Sequence, residues 1–194
     1  MSGRLVSLTF WVVAAMLAGC AAREPVLMPA QYQPTADTVA AERVQRGAPT
    51  TCLVRIAEIR DQRTDPHSLG ETGSQPVRTE NSADWIGSAL RSLDGASGLT
   101  FVDRPQADGA ELVMTIDLLR AYAMNVNTNR IVSVVIRVRF SRRGAPLDER
   151  IYRGGETAVN WSAGARETGD ALNRALGDLL EPVRKDILSR CRAA

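Results

Sequence analysis

The sequence predicts an α+β fold, a two-layer sandwich in which a mainly antiparallel sheet of four to five strands carries two helices on one face. Three long stretches between Leu112 and Trp161 alternate apolar with polar residues and are joined by short turn signals, the pattern of an antiparallel meander. Two other segments, one opening at Ser82 and one over Glu167–Arg192, place apolar residues at three- and four-residue steps. Each of those helices has one stripe to bury, and the apolar face of a single sheet can cover both.

In chain order, Arg4 precedes an uncharged run from Leu5 to Leu17, which closes on Leu17-Ala18-Gly19-Cys20. A run of ~13 residues suits the core of a signal peptide and falls short of the ~20 that a spanning helix needs. The tetrapeptide resembles the lipobox of bacterial lipoproteins, in which the cysteine thiol is diacylated and becomes the new N-terminus. That resemblance implies removal of residues 1–19 and a diacylglycerol and an N-acyl chain on Cys20, with no other cofactor. Ala21 stands where an aspartate would resemble an inner-membrane retention signal, so the expected address is the periplasmic face of the outer membrane. An ordinary secretory signal with an incidental cysteine and an uncleaved anchor are the alternatives. One acyl chain binds a membrane marginally; several, at ~0.8 kcal/mol per buried methylene, hold firmly. Residues 20–50, punctuated by Pro25, Pro29, Pro34 and Pro49, read as a lipid-anchored flexible tether. Its r.m.s. span would be ~30 Å. The alternative is an arm packed on the domain, which is expected over residues 51–194.

Within that domain Val54 and Ile56 alternate with Arg55 and Ala57 in a first strand, Cys52–Ile59. A loop holding Pro66, Gly70, Gly73 and Pro76 follows. Asn81-Ser82 then offers an N-cap, and Trp85, Ile86, Ala89, Leu90 and Leu93 share one helical face. After Gly95 and Gly98 comes a short strand, Leu99–Val102. The meander consists of Leu112–Leu118, a strand carrying Val132, Val134, Ile136, Val138 and Phe140 on one face, and Leu147–Trp161. Asn125, Asn127 and Asn129 mark the first turn and Arg143–Pro146 the second. Gly154-Gly155 suggests a bulge or bend in the last strand. In the final helix Leu172, Leu176, Leu179, Val183, Ile187 and Cys191 form the stripe, and Pro182 predicts a kink near Asp178.

Arg4 is the single charge in residues 1–19, so 23 basic side chains face 22 acidic ones in the remainder. That balance provides no chain-wide attraction for nucleic acid. With Cys20 acylated, Cys52 and Cys191 remain, and an oxidising periplasm permits a bond between them. Closing a loop of ~140 residues is worth about 5 kcal/mol in the chain-entropy account. Two separate buried thiols are the alternative.

The first strand running into Asp61-Gln62-Arg63-Thr64-Asp65, the helix, the meander, Tyr152-Arg153 and the Asp170-Ala-Leu-Asn173 helix start resemble YajG-type lipoproteins over residues 52–190. The resemblance implies an outer-membrane lipoprotein without catalytic residues to carry over. More loosely, the plan is similar to auxiliary lipoproteins of ABC-type lipid transport systems. The Cys52/Cys191 pair is not part of the family's pattern.

Reactive constellations are not evident. His67 is the one histidine, in a polar loop, and no nucleophile elbow precedes a helix. Cys52 and Cys191 lack zinc-ligand spacing, and Gly154-Gly155 lacks the helix and lysine of a phosphate loop. Two polar groups are candidate partner-binding sites. Asp61, Arg63 and Asp65 form either a binding corner or a structural one, with Asp61 capping the turn and Arg63 paired to a carboxylate. Arg137 and Arg139, with Arg143 beyond, form a basic row on the outer sheet face, suited to lipid phosphate or an acidic protein unless Glu149, Asp148 or Asp117 neutralises it. The expected function is therefore binding or scaffolding of another envelope component, without catalysis and without metal. An auxiliary role in lipid or lipopolysaccharide transport is the runner-up, and an envelope hydrolase with converging carboxylates the third reading.

Overall fold

The structure is a computed structural model, described here over residues 24–29, 31–34, 52–73, 75–95, 98–106, 111–159 and 164–192. Cys20 and residues 35–50 of the expected tether lie outside the described residues. Among the described residues eight strands and two helices follow in order: β1 (Val26–Met28), β2 (Cys52–Asp61), β3 (Ser68–Thr72), β4 (Gln75–Thr79), α1 (Ser82–Arg91), β5 (Leu99–Phe101), β6 (Leu112–Val126), β7 (Asn129–Arg142), β8 (Ala145–Val159) and α2 (Ala165–Arg192).

The meander β6–β7–β8 is the antiparallel half of the sheet, as expected; β6 and β7 are longer than the alternation alone suggested, and β8 starts two residues before Leu147. Its turns take the chirality that hairpins need. Asn127 has φ 56°, and Arg143 and Gly144 have φ 49° and 76°. The inner-face residues Val132, Val134, Ile136, Val138 and Phe140 are all buried. Against them lies the stripe of α2, with Leu172, Leu176, Leu179, Val183 and Ile187 fully buried. The first helix, α1, is capped by the Asn81 side chain, which accepts the Asp84 N–H at 3.1 Å. Its Trp85 indole donates across to Asn173 of α2 at 2.9 Å. That bond gives a buried N–H its partner and ties the two helices together.

The expectation of four to five mainly antiparallel strands is corrected: the sheet has eight strands and is mixed. β2 pairs in parallel with both β5 and β6, and β1 pairs in parallel with β4. Two strands, β3 and β4, occupy the segment read as a loop. Its breaker residues have other causes. Gly70, at φ +91°, lies so close to β6 that a Cβ would sit 2.0 Å from the Ala123 carbonyl oxygen. Pairing of Glu71 with Pro76 keeps the proline within the β3–β4 hairpin. Residues 26–28 are likewise a strand rather than tether. Val26, Met28 and Tyr32 are buried in the core, so this arm is packed on the domain, the alternative reading of the segment.

The Gly154-Gly155 pair sits in a regular stretch of ladder, and the irregularity in β7–β8 falls at Phe140/Ser141 instead. Glycine is needed at 154 because α2 crosses there: a Cβ would lie 1.7 Å from the Ala175 carbonyl oxygen. α2 runs with Pro182 inside it, and Cys191 in its last turn is bonded to Cys52 at the start of β2, with their Cα atoms 5.7 Å apart.

Candidate functional site

The corner where β2 ends is built by β6. One edge of β6 pairs with β7 throughout, while the other is divided between β2, as far as Leu118, and β3, at Ala123. Between them the β6 register shifts at Leu118/Arg120. The chain must therefore leave β2, pass a gap in the ladder and rejoin the same edge. Arg63 fills that gap. Its guanidinium grips Asp61 with Nε at 2.9 Å from Oδ1 and Nη2 at 2.6 Å from Oδ2. The remaining donors reach the carbonyls of Ser68 at 2.5 Å, Pro66 at 2.5 Å and Ala121 at 3.3 Å. Asp61 also accepts the Arg63 backbone N–H at 3.0 Å and the Ser82 hydroxyl at 2.5 Å. Burial opposes the Asp61 charge, yet the hydrogen bonds from Arg63 and Ser82 outweigh it and hold the carboxyl below the usual range. The side chains are 8% and 12% exposed for Arg63 and Asp61, so this pair is a buried structural knot.

Asp65 is not part of that knot. It accepts the His67 backbone N–H at 3.0 Å and pairs with Arg78 of β4 at 3.1 Å, on the surface. His67 turns Nδ1 towards the Thr79 carbonyl, 3.3 Å away. Among the described residues no three His, Cys, Asp or Glu side chains are gathered as a metal site.

On the outer sheet face Arg137 and Arg139 flank Asp117, which is wholly inaccessible although it lies on the face away from the helices. Arg139 Nη2 is 2.8 Å and Arg137 Nη1 3.8 Å from its carboxylate, and Arg137 Nε is 3.3 Å from Glu149. Arg60 pairs with Glu58 alongside. The three cations and three carboxylates neutralise one another, so the basic row carries little net field to attract an anion. Of the carboxylates considered for this role, Asp148 goes elsewhere, to Arg190 of α2 at 2.5 Å. The Arg190 hydrogen bond holds Asp148 below the usual carboxylate range.

Three features escaped the sequence reading. Arg120 of β6 and Arg153 of β8 stand on the outer face either side of Val135, in one row of the ladder. Only the register shift after Leu118 puts Arg120 on that face. A polar seam joins β8 to α2 through Tyr152 to Asp186 at 2.6 Å, Arg174 to Glu156 at 2.6 Å and the Arg190–Asp148 pair. Burial pushes the Tyr152 hydroxyl's pKa far up, reinforced by its bond to Asp186. Finally, an open groove of about 700 Å³ runs between β2 and α1, lined by Ile56, Ile59, Ala83 and Gly87 with Glu58 and Arg91 at its rim.

No family model matches the chain, and no curated protein matches it. Solved structures do. The structure is similar to that of a Xanthomonas campestris protein of the family DUF330, with a TM-score of 0.56 and 12% identity over 88% of this chain and 97% of that one. It is also similar to a minor lipoprotein from Acinetobacter baumannii, with a TM-score of 0.46 and 9% identity over 74% and 95%. A lipoprotein from Neisseria meningitidis gives 0.42 and 13% over 71% and 99%. The first likeness establishes the α+β fold over nearly the whole of the related chain.

Proposed function

We propose that this chain is an outer-membrane lipoprotein, anchored through acylated Cys20, whose periplasmic domain binds or scaffolds another envelope component without catalysis. The carrying observation is the division of its three cysteines. Cys52 and Cys191 are bonded to each other, which leaves Cys20, at the end of the apolar leader run, outside that bond. A bond of this kind also suits an oxidising compartment beyond the inner membrane. The polar clusters favour binding over chemistry, because Asp61, Asp65 and Asp117 are each committed to an arginine. A nucleophile or general base needs a free proton-accepting group near its operating pH, whereas Asp61 and Asp117 hold the sheet together and Asp65 is paired with Arg78 at the surface. Cells fed labelled palmitate should incorporate it into the wild-type chain, and Cys20→Ser should abolish both the label and co-sedimentation with outer membranes. A Cys20→Ser chain that still sediments with that membrane would remove the anchor from the account.

The groove between β2 and α1 favours a second reading, an auxiliary lipoprotein of an ABC-type lipid transport system. Its volume lies within the range of small-molecule sites, and Ile56, Ile59 and Ala83 offer apolar contacts beside the polar Glu58, Asp84 and Arg91. If acyl chains enter it, Ala83→Trp should lower lipid transfer between vesicles. Transfer unchanged by that substitution would take the groove out of consideration.

A further inference from the structure

We propose that two copies of this chain join edge to edge through β8, in one antiparallel register centred on Ile151. The pairing does not rest on the lipid reading. β8 is the end strand of the meander, paired on one side with β7 and on the other with no strand among the described residues. Along an antiparallel ladder, residues alternate between groups turned towards the partner and groups turned away. Gly155 gives its backbone N–H to Asp178 of α2 rather than to β7. Pairing runs without a shift from there to Asp148, so Arg153, Ile151 and Glu149 also present their N–H and C=O to the open edge. The accessible stretch is short. It is bounded by Asp178 on Gly155 at one end and by Pro146, which has no N–H, at the other.

The side chains of those residues select the partner. Glu149, Ile151 and Arg153 stand on the outer face and are exposed, Ile151 by 48%. Arg153 has no ion-pair partner among the described residues. A second copy related by a two-fold axis at Ile151 sets Glu149 opposite Arg153 of that copy, and Arg153 opposite its Glu149. Ile151 then meets Ile151 of the second copy. Other registers that keep the open backbone groups facing one another lose this match. Centring on Glu149 or on Arg153 opposes like charges, and centring one residue either side of Ile151 sets Arg153 or Glu149 against an apolar side chain. Opposite charges directly across strands stabilise a pair and like charges disfavour it. Glu149 already reaches Arg137 at 3.3 Å, and a carboxylate has acceptor sites for a second guanidinium. Five residues of edge, two reciprocal ion pairs and a central isoleucine contact thus define a self-complementary surface.

The test uses the full chain expressed with its own leader in a bacterial envelope. The central residues of such a pair sit about 5.5 Å apart, within reach of a disulfide. Ile151→Cys should therefore give a reducible dimer on non-reducing gels. Glu149→Cys and Arg153→Cys should give none singly and a dimer when co-expressed. Light scattering in mild detergent should show Glu149→Arg and Arg153→Glu each as monomers, and their mixture as a dimer. Circular dichroism matching the wild type checks that each variant is folded. A dimer band from Glu149→Cys alone, no band from Ile151→Cys, or charge variants that stay dimeric would each overturn the register. A wild-type chain that remains monomeric would overturn the pairing itself.

Discussion

Arg63 holds five oxygen atoms from three parts of the chain with one planar group, and the fold depends on that group at a point where no ladder hydrogen bond is available. Removing it strands the buried Asp61 carboxylate and three carbonyls together. Arg63→Ala is expected to cost about 3–5 kcal/mol, the range for breaking a buried pair by deleting one partner. Arg63→Lys should recover only part of this, because an ammonium cannot span two carboxylate oxygens and the Ser68 and Ala121 carbonyls at once. Urea titration of the three proteins measures both, and a lysine variant as stable as wild type would contradict the bidentate role. The same knot imposes a pH dependence. Asp61 has a folded pKa below its unfolded value, so its contribution is fully present above about 4, the unfolded range, and is lost as pH falls through the folded pKa. Stability of the wild type should therefore drop on acidification through that window, and the drop should shrink in Asp61→Asn.

At the scale of elements, two close approaches fix where α2 and β3 lie. Gly154→Ala would drive a methyl into the Ala175 carbonyl, and Gly70→Ala would drive one into Ala123 at a φ that side chains avoid. Each is expected to lose about 3 kcal/mol or more, from overpacking and, at Gly70, from backbone strain as well. Gly144→Ala, in a turn with open space around it, should cost less than Gly70→Ala. Thermal melts of the three variants give the order directly. The bond between Cys52 and Cys191 closes β2 onto α2 across 139 residues. Its removal by the double serine variant should lower the unfolding free energy by about 2–5 kcal/mol, and an unchanged urea midpoint would show that the bond contributes nothing.

These elements were unequally legible. The meander and both helices could be read because their apolar periods are long and unbroken, and Asn81 signalled its own cap. β3 and β4 could not, because Gly70 and Pro76 look like loop residues until the position of β6 is known. β1 was hidden for a related reason. Three residues with prolines on both sides carry no period, and only burial of Val26 and Met28 against the rest reveals the strand. Parallel pairing of β2 with β6 is a long-range choice that no local pattern encodes. The Asp61–Arg63 pair was visible as a motif, while its task at the divided edge of β6 was not. Arg137 and Arg139 were visible as a basic row, and the Asp117 alternation on the neighbouring strand also showed how they would be neutralised.

For the molecule as a whole, the layers put the apolar stripes of the helices and the inner sheet face inside, and leave outside a sheet face on which Arg60, Arg137 and Arg139 are matched by carboxylates, together with one open strand edge. No helix among the described residues is long and apolar enough to cross a membrane. In the proposed function, acylated Cys20 holds the chain to the membrane and the folded domain provides recognition. Intact-mass spectrometry of the protein extracted from bacterial envelopes tests that claim most directly. The account predicts a chain beginning at Cys20, heavier than its amino-acid sequence by a diacylglycerol and one further acyl chain. A chain that retains residues 1–19, or one that begins elsewhere with an unmodified Cys20, would contradict it.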